Sequence, residues 1–208
     1  MHDHEALLGE GLAELDLHPR PAVSRQLLDL VVLLGRWAPR VNLTGHRDLA
    51  GIVRWLVLDA AALAAQLPDG ELLLDLGSGA GFPGLPLAIL EPHRQITLVE
   101  SRRRRHHFQR AAIRQLGLSN VQALLGRSEA LCEPIFHGVV AQALAAPTRA
   151  LELMYPWLRE DGWLALASGP DGPGPIGDVS GLGPGRISMY RIPTLSVARS
   201  VWIAQRVA

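Results

Sequence analysis

The chain has 208 residues, 48% of them apolar and 19% charged, with twenty acidic residues set against twenty basic ones. At roughly 100–200 residues per domain this is one domain with at most a small appendage, and its core is large enough to need neither disulfides nor metals. Zero net charge excludes a globally basic nucleic-acid coat, and no apolar run reaches the ~18 residues of a membrane span.

The first residues, MHDHEALLGEGL, place acids early and lack the apolar stretch of a secretory signal, so no export is expected. From 4 to 66 the pattern is helical. Leu27, Leu28, Val31, Leu34 and Trp37 fall on one face of a helix over Ser24–Trp37, which Pro39 stops. A second apolar-periodic stretch, Ile52–Leu67, closes at the turn Pro68-Asp69-Gly70. Residues 1–68 therefore read as a helical cap, and 69–208 as the main body of one compact unit.

After that turn the period changes. Residues 71–76 (ELLLDL) form a short, nearly continuous apolar run ending at Gly77, which suits a strand buried on both faces. Strands are predicted at 95–100, 121–125, 139–144 and 163–167, and helices at 85–91, 103–116 and 148–158. Such alternation implies βαβ units around a parallel sheet. The single cysteine, Cys132, can form no internal disulfide, and cysteine-based zinc sites need several; a reducing cytoplasm and no metal are expected. In residues 169–186 eleven of eighteen are Gly or Pro, which cannot sustain a helix and reads as a flexible surface excursion. Two β-like runs, 187–195 and 199–207, end the chain.

The sharpest local signal is Asp75-Leu76-Gly77-Ser78-Gly79-Ala80-Gly81-Phe82-Pro83-Gly84. It follows a predicted strand and opens a predicted helix, where a doubly wound sheet binds a nucleotide. Glycines there permit positive φ and let a ligand approach the backbone. Position 82 is Phe, so the spacing is not the G-x-G-x-x-G of dinucleotide binding. A purely structural tight turn is the alternative use of these glycines. Glu100, 23 positions after Gly77 and at the end of the next strand, can accept hydrogen bonds from both hydroxyls of an adenosine ribose. Its alternative is a solvated strand end. Together the two features favour adenosine, and the altered glycine spacing favours S-adenosylmethionine over a nicotinamide cofactor.

With those residues in place, the chain resembles the bacterial 16S rRNA guanine-N7 methyltransferases of the glucose-inhibited division protein B type. The likeness is carried by Asn42-Leu43-Thr44, by 72–90 (LLLDLGSGAGFPGLPLAIL), by 96–108 (ITLVESRRRRHHF), by 126–131 (GRSEAL) and by the closing strand pair. It implies a Rossmann-like class I methyltransferase, with a mostly parallel seven-stranded sheet, an N-terminal helical cap, and 7-methylguanine in 16S rRNA as product. Under it Asp75, Gly77, Gly79 and Phe82 match the donor-binding turn, and Glu100 matches the ribose acid. Ser128 and Glu129 match the adenine cradle, Gln142 stands where the family has a donor-contacting Arg, and Asn42 matches a cap contact to RNA. Three further departures accompany Gln142. Ser168 stands for the family's Lys, Leu56 lies in the cap stretch that lacks the family's His, and His137 replaces an acid.

Guanine N7 carries a lone pair and no proton, so methyl transfer to it needs positioning rather than a general base, and no acid–base residue is assigned. Arg102, Arg103, Arg104 and Arg105, with His106, His107, Arg110 and Arg114, form the one strong positive cluster. They open a predicted helix, where the macrodipole disfavours cations by a few tenths of a kcal/mol each. RNA phosphates are the functional reading of that placement, and a solvated helix face is the bland one. The partner expected is 16S rRNA or an assembling small ribosomal subunit, with no membrane involved. Two rivals remain open: a methyltransferase re-purposed for a small molecule, and a non-catalytic ribosome-binding relative with a vestigial donor pocket.

Overall fold

A computed structural model describes residues 2–46, 48–131, 133, 135–177 and 179–207. Cys132, on which the redox expectation rests, lies outside the described residues.

Seven strands form one sheet in the order β3-β2-β1-β4-β5-β7-β6. β1 (Leu72–Leu76), β2 (Gln95–Glu100), β3 (Val121–Leu125), β4 (Phe136–Gln142) and β5 (Leu158–Ser168) run parallel, while β7 (Val197–Gln205) is antiparallel to both β5 and β6 (Arg186–Ile192). The expected mostly parallel, Rossmann-like sheet is what is found. Chain order reverses between β1 and β4, which opens a crevice at their carboxyl ends, where open α/β sheets bind ligands.

The period-2 pattern of the strands sorts side chains onto two faces. Leu73, Ile96, Leu98, Val140, Trp163, Ala165, Val201 and Ile203 join one buried cluster. Leu74, Leu76, Val99, Val139, Ala141, Leu164 and Leu166 join the other. The first face is covered by α5 (Gly84–Leu90) and α6 (Arg103–Leu116), and the second by α8 (Pro147–Met154). A short α7 (Ser128–Leu131), absent from the sequence reading, follows β3.

The cap consists of α1 (His2–Glu14), α2 (Pro21–Trp37) and one interrupted helix. That helix comprises α3 (Leu49–Ile52), a π-helical turn over Val53–Leu58 and α4 (Asp59–Ala64). Leu7, Leu8, Leu12, Leu27, Leu30, Leu34, Ile52, Val57 and Leu63 share the first cluster with the sheet, so cap and sheet have a common core. The π turn is the local irregularity that periodicity could not predict, and such turns concentrate at functional sites.

The segment 169–186 is a surface excursion as expected, each of its described residues at least partly exposed, but it is tied to the body of the protein. It stays irregular, as its Gly and Pro content requires, but Ile176, Val179 and Leu182 pack on the second cluster. Its backbone is tied down by Gly177 N to Thr148 Oγ1 at 3.0 Å and Gly183 N to the Gln205 carbonyl at 2.8 Å. Glycine is needed there for close approach, because a Cβ at Gly181 or Gly185 would collide with Tyr155 or Trp202. Asp178 lies outside the described residues.

Candidate active site

The glycine turn leaves β1 and enters α5 at the reversal point. Gly77, Gly79 and Gly81 have φ of 72°, 58° and 83°. Gly77 N and Ser78 N both donate to the Val99 carbonyl, which staples the turn to the end of β2. Gly84 packs so tightly that a Cβ would strike Leu98 and Asp75. Gly79 differs: the nearest atoms to a Cβ there are Arg105 Nη1 and the Gly77 carbonyl, both at 3.9 Å. The turn is thus tight where it meets the protein and open where a ligand would lie. Phe82 is half-buried on the first cluster, followed by a cis Phe82–Pro83 bond.

Glu100, 4% exposed, is the electrostatic centre of the turn. Its Oε2 accepts from Gly79 N at 3.0 Å and its Oε1 accepts from Arg102 N at 2.7 Å. Arg105 reaches back to it at 3.6 Å. This eases the unfavourable start of α6, since the carboxylate holds the backbone N–H of Arg102 just ahead of the helix and neutralises one of its cations. It also divides the arginine run. Arg105 belongs to the Glu100 side of the cleft, whereas Arg102, Arg103 and Arg104 are exposed. Buried His106 leaves the positive surface altogether, its Nε2 lying 3.2 Å from the Ala123 carbonyl. Arg103, His107, Arg110 and Arg114 are exposed at successive helical spacings and form a stripe along α6.

Asp75 lies beneath the turn and accepts from Gly84 N at 2.8 Å. Its carboxyl is pushed up to about 7, chiefly by burial; the Gly84 N–H opposes this and the Glu100 charge adds to it. The folded form therefore holds the Asp75 proton more tightly than the unfolded chain, whose value is near 3.8. The associated stability is complete below pH ~4 and is lost as pH rises through ~7. Relative to Asp75→Asn, wild type should lose on the order of 2–4 kcal/mol between pH 4 and pH 8 in urea titrations. Parallel pH profiles for the two proteins would mean that Asp75 does not titrate there.

Gln109 was not singled out by the sequence, although it is a polar residue at a core position of an otherwise well-patterned helix. It is fully buried and donates to Ser78 Oγ and to the Gly79 carbonyl, both at 2.8 Å, so α6 holds the turn from behind. Ser128 and Glu129 sit beside β2's end, because Gly126 N donates to the Glu100 carbonyl at 3.1 Å. Their side chains face away from the turn. Ser128 Oγ donates to the Leu153 carbonyl and accepts from Trp157 Nε1, while Glu129 pairs with Arg149 on the surface.

Gln142 ends β4, just before Ala143 adopts a left-handed φ of 52°. Its Nε2 donates to Asp59 Oδ2 at 3.2 Å. Asp59, 3% exposed, also accepts from Arg199 Nη2 at 2.8 Å and from Tyr190 Oη at 3.2 Å. Burial alone would lower the Arg199 pKa, but the Asp59 hydrogen bond and charge carry it above its ordinary value. Gln142, Ser168 and Arg199 line one cleft of about 340 Å³. Arg199, from β7, thus brings a guanidinium to this cleft, paired there with Asp59. The sequence signal for it was Asp59, one acid in an apolar stretch, which had to find a buried partner. Asn42 is exposed on the loop between α2 and α3.

Sheet order, the glycine turn at the reversal point and an acid ending the next strand define a Rossmann-like methyltransferase. Solved structures agree on the fold. A predicted O-methyltransferase from Agrobacterium tumefaciens superposes with a TM-score of 0.58 at 21% identity, over 72% of this chain and 81% of that one. TYW2 of M. jannaschii, in complex with AdoMet, gives 0.52 at 14% identity over 72% and 75%. The model of the rRNA small subunit methyltransferase G family, GidB, matches residues 23–170. Proteins named ribosomal RNA small subunit methyltransferase G are 40% identical in Chromohalobacter salexigens, over 78% of each chain, and 34% identical in Methylobacillus flagellatus, over 92% of this chain and 93% of the relative. The chain belongs to the rRNA small subunit methyltransferase G family.

Proposed function

We propose that the protein transfers a methyl group from S-adenosylmethionine to N7 of a guanine in small-subunit rRNA, presented as 16S rRNA or an assembling subunit. The observation that carries this reading is the open face of Gly79 beside the buried Glu100, within the span matched by the family model. When bound, S-adenosylmethionine supplies an electrophilic sulfonium methyl. Glu100 keeps lone pairs for ribose hydroxyls beyond those that accept from Gly79 and Arg102. The backbone of 126–128 flanks the adenine side, and the turn 77–81 fixes the donor's approach. Transfer breaks the S–CH3 bond and forms an N7–CH3 bond, and the positive charge moves from sulfur to the base. No proton moves, so the chain's task is alignment. Arg199 places a cation at the cleft wall, and the Arg103–Arg114 stripe offers phosphate contacts whose affinity falls with salt.

Two measurements test the reading. Glu100→Ala should weaken S-adenosylhomocysteine binding by about 10- to 100-fold, the worth of one charged hydrogen bond at ~1.5–3 kcal/mol. Unchanged calorimetric affinity would remove Glu100 from the site. Expression in a bacterium lacking its own enzyme should install 7-methylguanine in 16S rRNA. A soluble, donor-binding protein that leaves no mark would overturn the rRNA reading in favour of a small-molecule acceptor.

A further inference from the structure

In paired A-form RNA the major groove is too deep and narrow for N7 to be reached, and enzymes that work on a base take it out of the stack. A displaced base needs a flat surface to replace its lost neighbours. Other partly exposed aromatic rings among the described residues have partners of a different kind. Trp37 meets Phe108 edge-on at 5.6 Å, Tyr155 lies under the Arg206 guanidinium at 5.1 Å, and Trp202 closes on Gly185. His46 and Trp55 are arranged differently. Their rings are parallel to within 5°, with centroids 5.9 Å apart, and both remain partly exposed.

The location of the pair matters as much as its geometry. His46 is on the loop that also carries Asn42, and its N–H donates to Thr44 Oγ1 at 3.1 Å. Trp55 is in the π-helical turn, four residues before Asp59, which places it on the same side of the helix as the acid that holds Gln142 and Arg199. Trp55 packs against the hydrophobic core, so the stack is anchored through the indole and extends outward through the imidazole. Neither ring is explained by the donor site, and solvent-accessible aromatic rings are surfaces on which unstacked bases stack.

We propose that His46 and Trp55 form a base-stacking platform for single-stranded RNA at the cap side of the cleft. His46 contacts a splayed base, and Trp55 is the positioning residue behind it. The proposal rests on the reading of the substrate as RNA. It is tested by filter binding of the full chain to a single-stranded, guanine-containing RNA oligonucleotide and to bare small ribosomal subunits, over a salt series. His46→Ala and Trp55→Ala should each weaken binding by about 5- to 100-fold, the range stacking on one aromatic ring supplies. His46→Phe and Trp55→Phe should restore most of it. The slope of log affinity against log salt should stay unchanged, since no phosphate contact is lost. S-adenosylhomocysteine affinity should also stay unchanged.

Wild-type affinity in both alanine variants overturns the platform, as does a loss that the Phe variants fail to rescue or one that changes the salt slope. A wild-type chain that binds no RNA overturns the platform and the rRNA reading together. Platform-dependent RNA binding without any 7-methylguanine mark would support the platform and sink only the proposed reaction.

Discussion

Gly79→Val should reduce S-adenosylhomocysteine binding by more than ~100-fold, about 3 kcal/mol, while lowering folding stability by only ~1–3 kcal/mol. The reason is an asymmetry at that position. A Cβ at Gly79 meets no atom closer than 3.9 Å, so the folded chain accepts the added volume. The φ of 58° is resisted by a β-branched residue, and that strain is the main stability cost expected. The isopropyl group then fills the space the donor requires. Gly117→Val is the matched control, because Gly117 ends α6 at φ 64° with no atom within 4 Å of its Cβ position. It should lose similar stability in urea titrations and keep donor affinity. Normal donor binding by Gly79→Val would reduce the turn to a structural feature.

The same turn shows which parts of this protein its sequence discloses. Asp75 to Gly84 and Glu100 are legible because their chemistry is local: a strand, a reversal and an acid on the next strand, each fixed by its neighbours. β2, β3 and α6 appear at the residues expected, since each is a short run with one clear period and a sharp stop. β5 and β4 begin earlier than expected, at Leu158 and Phe136, where pairing between strands rather than pattern sets the limit. Side-chain direction was hidden. Nothing in Arg102-Arg103-Arg104-Arg105 separates the one that folds back onto Glu100 from the three that stay exposed. Likewise, the GRSEAL segment does not reveal that Ser128 and Glu129 turn to Trp157 and Arg149. The cation at the cleft was the least legible feature, because Asp59 and Arg199 are 140 residues apart and meet only once the sheet is assembled.

That assembly gives the second large effect. Asp59→Ala should destabilise the protein by about 3–5 kcal/mol, the usual result of removing one partner from a buried ion pair. Arg199 keeps some solvent access, with 23% of its side chain exposed, so the lower end of that range is expected. At 2–4 °C per kcal/mol for a domain of this size, the melting temperature should fall by roughly 6–12 °C. Three donors lose their acceptor at once: the Arg199 guanidinium, the Tyr190 hydroxyl and the Gln142 amide. These groups come from β7, β6 and β4, whereas Asp59 opens α4 of the cap, so the carboxylate pins the cap to three strands of the sheet. Arg199→Met should relieve part of the loss. The double variant should be more stable than the two single effects predict, because the unpaired charge is then gone. Additive losses in chemical denaturation would show that the pair does not couple cap to sheet. Donor affinity should survive in Asp59→Ala assayed well below its melting point, since the turn is held separately by Gln109 and Glu100. Methyl transfer to RNA should fall in the same sample, because the cap and Arg199 no longer share a fixed position over the cleft.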